Sequence, residues 1–188
     1  MNLSVVRLLN DIECDTIINS VEDNIEKLRI SNENGWSYLS AYEMQLTDLP
    51  TEISNPIFDK IKNFSDLILA QSFIIKYNNT LIPSMPYHYD ASSFSLPINL
   101  NNDFTGGGTD LPFLKYTHIP QNNPRGSGVY FEADTLKSWH GALPVTKGDR
   151  YVLVLKFNRK NYMIPTLFKL LKLFIATKIL ELFHKKIL

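Results

Sequence analysis

The stretch His88-Tyr89-Asp90, read together with the run from His140 through Gly148-Asp149 to Arg150, decides the fold of this chain. Residues i and i+2 of an extended strand share a face. One strand end therefore presents the His88 imidazole and the Asp90 carboxylate to the same side. Two imidazoles and one carboxylate are the donor set of a facial Fe(II) site with open coordination positions. His140 would bring the third donor from a distant strand, and Arg150 follows it by ten positions.

Outward from those runs, the chain from residue 71 alternates short β-prone segments with turns. Strands are expected over residues 72–77, 92–100, 109–116, 128–132, from Trp139-His140 onward, and over 151–157, the clearest buried one. Pro83 and Pro86 keep the approach to His88 extended. Pro97 marks its strand as an edge or bulged one. Two helices are predicted ahead of this region. One runs over residues 11–29 with Asp11 as N-cap, the other from Asn55 or Pro56 to about Ala70. A strand is expected between them, within residues 36–46. Seven or eight strands behind two helices predict a mainly β fold. Its expected core is a double-stranded β-helix (jelly roll), with the N-terminal helices bracing one sheet.

Composition bounds the function. The 188 residues suit one domain, with 44% hydrophobic and 20% charged. Lys+Arg and Asp+Glu are 19 each, so the basic footprint of a nucleic-acid partner is missing. Cys14 is the only cysteine, which excludes an intramolecular disulfide and a thiolate cluster and points to a reducing, cytoplasmic setting. Residues 1–7 have neither a basic start nor a long apolar run, so no signal peptide is expected. The expected division is a catalytic domain over residues 1–160 and an apolar, basic helical tail over 161–188. The tail carries Lys169, Lys172, Lys178, Lys185 and Lys186 against Glu181, on no single helical face. Its apolar run is interrupted too often for a spanning helix. Two readings stay open for it: packing on the domain or on a second subunit, which is preferred, and attachment to an anionic membrane surface.

Each candidate is weak alone, because an isolated H-x-D is common. His118 and His184 have no partnered motif and are assigned to surface or packing, and Glu132 and Asp134 to a solvated turn. A zinc hydrolase could use the same three donors but would leave Arg150 without a duty. A non-catalytic scaffold docking through its tail would require neither the carboxylate nor both histidines.

Three segments carry a family resemblance: Tyr87-His88-Tyr89-Asp90-Ala91-Ser92-Ser93-Phe94, Phe104-Thr105-Gly106-Gly107-Gly108-Thr109, and His140 through Arg150-Tyr151. The sequence resembles the 2-oxoglutarate- and Fe(II)-dependent dioxygenases, and among them the prolyl 4-hydroxylase and procollagen lysyl hydroxylase group. The motif-bearing part spans about residues 72–158, and a looser likeness begins near residue 5. The resemblance implies that His88, Asp90 and His140 ligate Fe(II) and that Arg150 pairs with the distal carboxylate of 2-oxoglutarate. Tyr77 is expected to direct its hydroxyl at that cosubstrate, and Thr146 to add another hydroxyl or simply to form a turn. Where the family carries a further tyrosine, this chain has Asn99 beside Pro97, a departure from the pattern. The implied reaction consumes O2, releases succinate and CO2, and hydroxylates an unactivated C–H of a peptidyl or free prolyl or lysyl side chain, with ascorbate as an optional addition. Gly106 to Gly108 would either shape a hairpin or let a bulky substrate approach the metal. Phe94, Phe131 and Trp139 would form a dry lining or a sandwich core.

Overall fold

The computed structural model describes residues 3–30, 41–80 and 82–160. The strand Leu3–Arg7 (β1) leads into the helix Asp11–Asp23 (α1). Arg29–Ile30 (β2), Tyr42–Gln45 (β3), the helix Thr51–Phe64 (α2) and the long strand Ile68–Asn78 (β4) follow. Next come Met85–His88 (β5), Phe94–Asn99 (β6), Thr105–Gly106 (β7), Thr109–Leu111 (β8) and Tyr116–His118 (β9). Ser127–Glu132 (β10), His140–Ala142 (β11), Val145–Lys147 (β12) and Asp149–Asn158 (β13) complete the set.

These strands build a seven-stranded sheet in the order β1-β10-β6-β13-β4-β3-β2, faced by a four-stranded sheet in the order β5-β11-β8-β9. A two-stranded ribbon, β12-β7, stands beside them. Every pairing is antiparallel. This is the expected jelly roll with two helices braced on one sheet.

The large sheet is buried on both faces, and period-two alternation sorts its residues. Ile74, Leu96, Ile98, Leu153 and Leu155 face Ile17 and Val21 of α1 and Ile57 and Ile61 of α2. Burying each such side chain contributes roughly 1.5–3 kcal/mol. Phe73, Ile75, Tyr77 and Val152 face the other way and pack with Phe104 and Val145. A Tyr151–Glu22–Lys76 chain of contacts also ties α1 to β13 and β4: the Tyr151 hydroxyl donates to Glu22 at 2.5 Å and Lys76 Nζ lies 2.9 Å from the same carboxylate.

Several boundaries differ from expectation for identifiable reasons. The N-cap of α1 is Asn10, not Asp11: Asn10 Oδ1 accepts from Glu13 N at 2.9 Å while Glu13 Oε2 accepts from Asn10 N at 2.8 Å. Helix α2 begins a turn earlier, at Thr51, and holds Pro56 in its interior. Residues 68–70, expected in that helix, belong to β4, because Ile68 and Leu69 extend the ladder opposite Asn158 and Phe157. The strand expected over 109–116 breaks at Pro112 into a β8–β9 hairpin that turns at Lys115, φ 50°. Pro97 does not sit on an edge: β6 lies between β10 and β13. The ladder to β10 instead runs from Ile98 to Ser95 without a partner for Leu96 or Pro97, which spares the proline a donor it lacks. The tail over 161–188 and residues 36–40 lie outside the described residues.

Candidate metal centre

His88 ends β5 and His140 begins β11, and the two are direct register partners in the four-stranded sheet. Their ring centroids lie 4.4 Å apart. Asp90 follows just beyond the end of β5. The backbone ladder thus brings together three side chains that the sequence separates by up to fifty-two positions. One ligand atom from each of His88, Asp90 and His140 lies within 4.8 Å of the others.

The hydrogen bonds orient the donors. His88 Nδ1 lies 2.8 Å from Pro86 O, and His140 Nδ1 lies 2.8 Å from Ser138 O. A carbonyl can only accept, so each Nδ1 carries a proton, which directs each Nε2 towards the site as the candidate metal donor. Both Nε2 atoms stand 3.5 Å from an Asp90 oxygen. Burial pushes the His140 imidazole down to about 4, helped by His88, so the ring is neutral near pH 7.

Asp90 is buried at 6% exposure. Its Oδ2 accepts from Ser95 Oγ at 2.5 Å. Lys156 Nζ lies 2.8 Å from Oδ1 but off hydrogen-bond alignment, so that oxygen has no hydrogen-bond donor. Burial favours the neutral acid, yet Lys156, His140 and His88 outweigh it and hold the carboxyl well below its usual range. An ionised carboxylate oxygen with no hydrogen-bond donor among the described residues, beside the Nε2 atoms of His88 and His140, fits a divalent cation such as Fe(II).

Arg150 lies on the sheet opposite, at the other end of a cavity of about 380 Å³ that also reaches the three ligands. It is 1% exposed. Asn99 Oδ1 accepts from Arg150 Nε at 3.0 Å and from Nη2 at 2.8 Å, and Gly108 O accepts from Nη1 at 3.1 Å. Of five N–H donors, one on each Nη is left, the pair that meets a carboxylate bidentately. Burial lowers the guanidinium to about 10, so it remains charged at neutral pH. Tyr77 lines the cavity beside it, with the guanidinium 5.5 Å from its ring centroid, and burial pushes its phenol up to about 12.

The comparisons with known proteins agree with this geometry. A viral collagen prolyl hydroxylase of Paramecium Bursaria Chlorella virus-1, solved with 2-oxoglutarate, superposes with a TM-score of 0.62 at 19% identity, covering 85% of this chain and 97% of that one. A Pseudomonas putida prolyl-4-hydroxylase gives 0.56 at 15% identity, covering 85% and 93%. The chain has the prolyl 4-hydroxylase fold. In sequence, an 86-residue segment is 37% identical to procollagen-lysine,2-oxoglutarate 5-dioxygenase 2 of Homo sapiens, covering 44% of this chain. An 88-residue segment is 34% identical to the multifunctional procollagen lysine hydroxylase and glycosyltransferase LH3 of Rattus norvegicus, covering 45% of this chain. The matched segments span 11% and 12% of those longer relatives. No protein-family model matches the chain.

Thr146 is not in the cavity: it is exposed on β12, and its hydroxyl donates to Thr105 O at 3.2 Å. Gly148, at φ +80°, separates β12 from β13 and breaks the alternation that would have put Thr146 on the face of Arg150. The glycine run shapes the turn between β7 and β8, as one of its two expected roles had it: Gly106, Gly107 and Gly108 all take positive φ. A Cβ on Gly107, at φ +69°, would come within 2.8 Å of Phe104 and 3.1 Å of Arg150 Cδ. None of the three glycines lines the cavity. Phe131 packs edge-on to the His140 ring at 5.0 Å, Trp139 lies against Tyr87 and Tyr89, and Phe94 stacks on Tyr130 away from the site. The apolar lining comes instead from Phe73, Ile75, Val152 and Val154. His118 is fully buried, so of its two expected roles packing is the one observed.

Asn99, Ser95, Glu43 and Lys156 also belong to the site, and sequence reasoning did not assign them. Lys156 carried a readable signal, since even spacing from Arg150 along one strand puts both on one face, and Asn99 had been marked only as a departure from the family pattern.

Proposed function

We propose that this chain is an Fe(II)- and 2-oxoglutarate-dependent dioxygenase that hydroxylates an unactivated C–H of a prolyl or lysyl side chain in a peptide, with release of succinate and CO2. The observation that carries the proposal is the pairing, across one cavity, of the His88, Asp90 and His140 donors with an Arg150 that keeps two donors to spare. The matched relatives and the fold support it.

In this reading His88, Asp90 and His140 hold Fe(II), which when bound supplies the redox chemistry that activates O2 with 2-oxoglutarate as co-reductant. Arg150 binds the distal carboxylate of the cosubstrate, and Asn99 and Gly108 O fix the guanidinium plane before it arrives. Tyr77 borders the same position. The Nδ1 hydrogen bonds to Pro86 O and Ser138 O hold both imidazoles in the ligating tautomer. Phe73, Ile75, Val152 and Val154 exclude water from the space where the substrate C–H is oxidised. A cytoplasmic setting remains part of the proposal: Cys14 is free and buried, and burial pushes its thiol up to about 11. The division into a 1–160 domain and a 161–188 tail is proposed as well. Among the described residues, no helix is long and apolar enough to cross a membrane.

The test is turnover. Incubating the full chain with Fe(II), ascorbate, 2-oxoglutarate and a library of prolyl and lysyl peptides should release succinate under air and give peptides heavier by one oxygen atom. Absence of both succinate and oxidised peptide would remove the proposal.

A further inference from the structure

Among the described residues, the formal charges lining the cavity, beyond the histidines, are those of Glu43, Asp90, Arg150 and Lys156. Three of them have partners. Lys156 stands against Asp90 at 2.8 Å, with its ammonium 5.3 Å from the Phe73 ring centroid. Arg150 is held by Asn99 and Gly108 and faces the cosubstrate position of the preceding proposal. Glu43 is the exception. Among the described residues its carboxylate has no hydrogen-bond or ion-pair partner, and its acid is raised by burial, with Lys156 acting against the rise from a distance.

The register fixes where that carboxylate stands. Glu43 pairs with Ile75 across β3–β4, and Ile75 pairs with Val152 across β4–β13. Cross-strand partners share a face, so Glu43 rises from the same face as the apolar lining, one row from Tyr77 and Arg150. Tyr77 on that side and Lys156 on the metal side both lie within reach of its charge. The cavity therefore combines aliphatic and aromatic walls with one partly buried, uncompensated anion. A carboxylate that has lost part of its hydration among apolar walls gains from a cationic partner. An apolar side chain ending in a cation satisfies the walls and the carboxylate at once, whereas a prolyl ring brings no cation.

We propose that Glu43 is a specificity-determining residue that binds a primary ammonium on the substrate, so that the oxidised side chain is that of a lysyl residue. This rests on the dioxygenase reading of the same site.

The test uses the full chain loaded with Fe(II) and 2-oxoglutarate, and three synthetic peptides that differ only in a central lysine, norleucine or proline. The wild-type chain should oxidise the lysyl peptide at least about thirtyfold more efficiently than the other two, since a site built to pair a polar group rejects analogues that lack it. The substitution Glu43→Gln should collapse that preference, mainly through the peptide KM, and still form the anaerobic Fe(II)–2-oxoglutarate chelate. A wild-type preference for the prolyl or norleucyl peptide would overturn the role of Glu43 while leaving the dioxygenase intact. So would an E43Q variant that keeps the lysyl preference. Failure of the wild-type chain to form the chelate would remove both readings.

Discussion

Arg150 and Lys156 rise from one face of β13, six residues apart, and they are two different kinds of cation, the first buried and the second partly exposed. Arg150 is immobilised: three of its N–H groups are taken, and its guanidinium lies 5.5 Å from the Tyr77 ring centroid and 6.0 Å from that of Phe104. Lys156 has one close anionic partner, Asp90, and its side chain is 18% exposed. A planar donor array held by neutral acceptors is pre-positioned for a carboxylate from outside. An ammonium set against a buried carboxylate offsets that carboxylate's charge. The same strand therefore supplies a cation with donors to spare at one end of the cavity and a compensating cation at the other.

That contrast can be broken by one series of substitutions read on the 2-oxoglutarate KM. Arg150→Leu should raise it the most, by about a hundredfold or more, because a bidentate charge-assisted pair is lost at roughly 1.5–3 kcal/mol per hydrogen bond. Asn99→Ala should raise it by about tenfold, because the guanidinium keeps its charge but loses the acceptor that fixes its plane. Lys156→Met should change it by less than about threefold, since Lys156 pairs with Asp90 rather than the cosubstrate. Steady-state succinate release measures all three. Equal effects at residues 150 and 156 would erase the distinction.

How far the site was readable depends on what kind of information each residue carries. His88, Asp90, His140 and Arg150 stand in short motifs whose spacing survives as sequence, and the jelly roll followed from seven or eight short β-prone runs, separated by turns, behind two helical ones. Asn99 and Glu43 stand in no motif. Asn99 meets Arg150 because β6 and β13 are neighbours, in a register that places Asn99 opposite Val152. Glu43 reaches the cavity through two successive cross-strand pairings. Neither register is written in local sequence. Of the two roles expected for Thr146, the structure shows the local one: exposed on β12, its hydroxyl bonds to Thr105 O beside the turn at Gly148. Residues 68–70 looked helical because a periodic apolar run continues there, and the long ladder to β13 overrides that local preference.

A smaller effect separates His118 from the ligand histidines. Its imidazole is fully buried, with no hydrogen bond to either nitrogen among the described residues, and burial, with Arg150 nearby, pushes it down to about 4. The unfolded chain binds a proton near pH 6.5 that the folded chain refuses until about pH 4. The stability His118 contributes is therefore complete above pH 6.5 and is lost progressively as pH falls towards 4. Urea denaturation midpoints should drop over that window in the wild-type chain and drop less in His118→Leu. Parallel profiles for the two proteins would contradict the assignment.

The most direct test of the account is an anaerobic titration of the full chain with Fe(II) followed by 2-oxoglutarate, read in the visible range. The expected result is a weak charge-transfer band that saturates with cosubstrate in the wild-type chain and is absent in Asp90→Ala and His140→Ala. A wild-type chain that develops no band, or an Asp90→Ala variant that develops it undiminished, would contradict a metal centre built from His88, Asp90 and His140.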